Sequence, residues 1–61
     1  MDRDTVVYKL NKFYAIENRN TRLSDVDTYI ANHVDAILKS SNGVWNDDIT
    51  EEYMNKLEAS L

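Results

Sequence analysis

Apolar residues recur about every 3.6 positions through three stretches of the chain, and no stretch between them alternates as a strand would. That period restricts the fold to helices packed on helices. There is no proline, and the one glycine, Gly43, is the only position that invites a sharp reversal. The expectation is an all-α domain, a small three-helix bundle with the second helix central. Its single domain covers 1–61, with helices at roughly 4–18, 25–40 and 51–60.

Each stretch carries its own signals. In the first, Val6, Val7, Leu10, Phe13 and Tyr14 fall on one arc at about 100° per residue, and Asp2 or Asp4 can cap the start. Tyr8, Lys12, Ala15 and Arg19 fall on the opposite side, with Lys9 and Ile16 flanking. In the second, Val26, Ile30, Val34, Ile37 and Leu38 form a stripe that Tyr29, His33 and Ala36 widen on one side and Ala31 on the other. An arc that wide suits a helix with two neighbours, or one also used in a dimer. Ser24 is the expected cap, with Asp27 completing an imperfect capping box. Gly43 is the expected left-handed residue at the far end.

The third stretch is narrower, with Tyr53, Met54, Leu57 and Leu61 on one side. Thr50 reads as its cap, with Ile49 and Met54 as a hydrophobic staple. Asp48 with Glu51 offers an alternative box. Trp45, in the loop before it, is expected to plug the bundle. The geometry predicts that Leu10, Phe13, Ile30, Val34, Ile37, Trp45 and Leu57 converge in one cluster. Truncating Ile30 or Ile37 to Ala is then expected to cost about 2–5 kcal/mol.

With 61 residues and no cysteine, the chain has little surface to bury and no covalent support. A stability of about 3–9 kcal/mol follows from its length. The absence of cysteine fits a cytoplasmic setting. No run approaches a membrane span, and Met1-Asp2-Arg3-Asp4 is unlike a signal peptide. Met1 at one end and a helical pattern reaching Leu61 at the other read as a complete small protein.

Catalysis needs positioned groups with shifted pKa values, and the sequence offers few. His33 is the single histidine, at the edge of an apolar arc, where a partly buried, hydrogen-bonded packing role is the expectation. Asn46, Asp47, Asp48, Glu51 and Glu52 are oxygen donors without EF-hand spacing, and helix capping accounts for them. No enzyme, cofactor or metal site is expected.

Charge is segregated. Residues 1–22 carry five cations against three anions, whereas residues 23–61 carry two cations against eight anions. The basic outer side of the first helix, with its interleaved Tyr8, has the residue types that follow a phosphate backbone. A sequence pI near 4.6 and an acidic second helix argue against nucleic acid as the main partner. Tyr is favoured at protein interfaces for its area and polar tip.

The expected function is therefore a non-catalytic protein-interaction module: a regulator, adaptor or inhibitor of the kind phages encode, acting on a larger protein. The candidate partner-binding residues are Tyr8, Lys9, Lys12, Ile16, Arg19 and Tyr29. The alternatives are a nucleic-acid-binding regulator using the basic face of the first helix, and a structural homodimer. A membrane-surface role would need more positive charge.

Overall fold

Three helices form, α1 (Arg3–Glu17), α2 (Leu23–Ser40) and α3 (Asp47–Ala59), and no strand occurs among the described residues. The computed structural model describes residues 1–17 and 22–61. The architecture is the expected three-helix bundle with α2 in the middle. Both neighbours run antiparallel to it. Tyr14 meets Tyr29 at one end of the α1–α2 pair, and Arg3 lies beside Leu38 at the other. His33 meets Tyr53, while Ser40 lies beside Ile49.

The core is a single cluster of Val6, Leu10, Phe13, Val34, Ile37 and Met54. Met1, Tyr29, Ile30, Leu38, Trp45, Tyr53 and Leu57 pack against it while partly exposed. All seven residues expected to converge are therefore in the cluster or against it. Ile37 is fully covered, but Ile30 is only half-buried, because its side of α2 faces a groove rather than α3. Trp45 lies against the cluster, and its Nε1–H donates to the Met1 carbonyl at 3.0 Å. That bond joins the α2–α3 loop to the start of α1.

The helix ends are where the structure departs from the sequence reading. Asp2 is the cap of α1: its Oδ1 accepts from the Thr5 amide at 2.8 Å. Hydrogen bonding from Thr5 holds the Asp2 carboxyl below its ordinary value. α2 starts two residues before the expected boundary, and Ser24 lies inside it rather than capping it. The Arg22 carbonyl closes the first turn by accepting from the amides of Asp25 and Val26. Arg22 Nε reaches across that turn to Asp25 Oδ2 at 3.1 Å. Ser24 uses its own carbonyl to accept from Thr28 Oγ1.

At the far end of α2 the left-handed residue is Asn42 (φ 57°), followed by Gly43 at φ 81°. The Gly43 amide donates back to the Leu38 carbonyl at 2.7 Å, the long bond of a Schellman motif. Asn takes the left-handed position that Gly43 was expected to fill, since Asn tolerates it better than other non-glycine residues.

α3 starts four residues before the expected boundary. Asn46 is its cap, with Oδ1 accepting from the Ile49 amide at 3.0 Å, and Asp47 and Asp48 fill its positive first turn. Thr50 is not a cap. It is fully buried, and its Oγ1 donates to the Asn46 carbonyl at 2.7 Å. Ile49 consequently lies within the helix and forms no staple ahead of it. Among the described residues no helix is long and apolar enough to cross a membrane.

Candidate functional site

On α1, the positions the core leaves outward carry the exposed apolar surface of that helix. Tyr8 is 60% exposed and Ile16 is 66% exposed, and Lys12 is exposed between them. Steps of four residues keep these three on one side of a helix. The Lys12 ammonium sits 4.5 Å from the centre of the Tyr8 ring, a cation–π contact of about 0.5–1 kcal/mol at an exposed site. Lys9 is half-buried at the edge of this side. Arg19 lies outside the described residues. Four of the six candidate residues are thus assembled on or beside one face of α1.

Tyr29 is not brought to that face. It packs against the core on α2, as one member of an aromatic ladder that periodicity alone does not disclose. Tyr14 from α1 meets Tyr29 edge-on with ring centres 5.2 Å apart. Tyr29 meets His33 at 4.5 Å, and His33 meets Tyr53 of α3 at 5.9 Å. All three contacts are edge-to-face, the arrangement that sets ring edges against negative π faces. The signal in the sequence was Tyr29 and His33, four residues apart on one side of α2.

His33 fulfils the expected packing role. Its Nδ1 and the Tyr53 hydroxyl share a hydrogen bond of 2.6 Å. Burial pushes its pKa below the ordinary value, opposed by the charge of Glu17. Burial raises both phenols, and for Tyr29 the Glu17 and Tyr53 charges add to the effect. The Tyr29 hydroxyl is fully covered and has no hydrogen-bond partner among the described residues. The ladder therefore holds neutral groups in contact, which suits packing.

Acidic side chains cover the outer side of α3, where Asp48, Glu51 and Glu52 border a shallow depression with Lys56, itself paired to Glu52 at 3.1 Å. Among the described residues no group of three or more His, Asp or Glu is placed to hold a metal ion. Comparison with protein-family models, curated proteins and solved structures yields no match.

Proposed function

We propose that the chain is a non-catalytic interaction module that docks the outer face of α1 on a larger protein and acts there as a regulator, adaptor or inhibitor. The observation that carries this reading is the exposure of Tyr8 and Ile16 on the side that also presents Lys12. Large apolar side chains left in water on one helix face are what an interface removes from water. The lysines select a partner surface that is apolar at its centre and acidic at its rim, and they speed encounter with it. A cytoplasmic setting agrees with a chain free of cysteine.

The test is quantitative capture from the native host by the parent chain and by a Tyr8→Ala/Ile16→Ala variant whose circular dichroism and melt match the parent. One stoichiometric protein retained by the parent and lost by the variant is the expected result. Equal capture by both sinks the assignment of this face. Retention of DNA or RNA in a low-salt mobility-shift assay, lost on Lys12→Glu, would transfer the same face to nucleic acid.

A further inference from the structure

A second surface, separate from the outer face of α1, lies between α1 and α2 on the side away from the aromatic ladder. It is a groove of about 400 Å³ lined by Val7, Ile30, Ala31, Val34 and Leu38, with Arg3, Asp27 and Asp35 on its lips. Leu23, 80% exposed, stands two turns before Ile30 on the same side of α2 and continues the apolar stripe past the groove. We propose that this groove is the interface of a symmetric homodimer, two copies packing α2 antiparallel across Ala31.

A two-fold interface requires a single patch that is complementary to itself. Asp27 and Asp35 stand four residues on either side of Ala31, so a two-fold axis there brings Asp27 of each copy to Asp35 of the other. Two carboxylates alone would repel. However, Asp35 already holds Lys39 at 3.1 Å, and Arg3 of α1 lines the same groove. Among the described residues Arg3 and Asp27 have no ion-pair partner.

The two-fold thus carries the unpaired anion of each copy to the unpaired cation of the other, and every four-charge cluster comes out neutral. The same operation lays Leu23 of one copy over the Leu38 end of the other, where it gains apolar cover. Ala31, the smallest side chain of the lining, sits where the helices approach most closely. A standard interface takes about 800 Å² from each partner. That is roughly a fifth of the 4270 Å² this chain exposes, and the groove extended by Leu23 runs most of the length of α2.

Sedimentation equilibrium from about 1 µM to about 1 mM tests the proposal. The parent is expected to pass from monomer to dimer, and Ala31→Glu, at an exposed position, to remain monomeric with its helical spectrum retained. Arg3→Asp is expected to weaken the dimer at least about tenfold by setting like charges together. Adding Asp27→Arg to Arg3→Asp is expected to restore it. A parent that stays monomeric overturns the proposal, as does a dimer indifferent to Ala31→Glu or a charge swap that rescues nothing. The Tyr8→Ala/Ile16→Ala variant is expected to dimerise like the parent, so loss of partner capture and loss of self-association are read separately.

Discussion

Ile37 and Ile30 sit two turns apart on α2 in unequal surroundings. Ile37 is fully covered by the core cluster, whereas Ile30 borders the open groove. Ile37→Ala is therefore expected to cost about 2–5 kcal/mol, and Ile30→Ala markedly less, because its site can fill with water instead of leaving a sealed cavity. Chemical-denaturation midpoints of the two variants check the order, which the stripe pattern by itself sets equal. Tyr29 offers the opposite case. Its covered hydroxyl lacks a partner among the described residues, so Tyr29→Phe keeps the ring contacts and removes a desolvated polar group. A gain of about 1 kcal/mol is expected. A lower melting temperature instead would mean that the hydroxyl is bonded in solution. The ladder was hard to read from sequence because a tyrosine at the edge of an apolar arc serves equally as interface or as packing. Only the ladder from Tyr14 through Tyr29 and His33 to Tyr53, across three helices, decides between them.

At the scale of the helices, the starts of α2 and α3 were the least legible. Each has several Ser, Thr, Asp or Asn residues close together, and any of them can accept a first-turn amide. At α3 the choice fell on Asn46, which leaves Thr50 free to be buried and leaves two aspartates in the first turn. At α2 a backbone carbonyl and the Arg22–Asp25 pair replace the side-chain cap. Asn46→Ala is accordingly expected to cost about 1 kcal/mol, and Ser24→Ala close to nothing. Urea titrations of both variants measure the difference. The helix interiors were legible because an apolar stripe with one period has one way to face a core. Val6, Leu10 and Phe13 of α1 took the positions that period assigns.

For the whole molecule, the neutral ladder sets the pH range of greatest stability. The folded pKa of His33 lies below its ordinary 6.5, so below that pH the unfolded chain binds the extra proton more readily. Stability is full above 6.5 and falls as pH drops towards the folded value. Tyr29 and Tyr53 are raised above 10.0, so at alkaline pH the unfolded chain loses protons more readily, and stability falls as pH climbs past 10. A plateau between these limits is expected in melts recorded across pH. His33→Phe is expected to flatten the limb just below 6.5 while leaving the alkaline one. Of the outward surface, Tyr8, Lys12 and Ile16 were legible as the residues the core stripe excludes. The α1–α2 groove was not, because it depends on α3 leaving one side of α2 uncovered.

The turn that closes α2 also governs how the chain ages. Asn42-Gly43 is the pairing most prone to lose ammonia, because an unhindered glycine nitrogen can attack the asparagine side-chain amide to form a succinimide that opens to aspartate or isoaspartate. In the folded chain that nitrogen is committed, its hydrogen donated to the Leu38 carbonyl at 2.7 Å. Attack must wait for the turn to open, so conversion of Asn42 becomes a clock that runs on local unfolding. Isoaspartate formation in neutral buffer is expected to be slower in the native protein than in urea, as peptide mass analysis over time would record. Equal rates would show that the turn opens too often to protect it. Each conversion adds a negative charge beside the negative end of α2, and the isoaspartate product also kinks the linkage in the turn, so older molecules are expected to open there more easily than fresh ones.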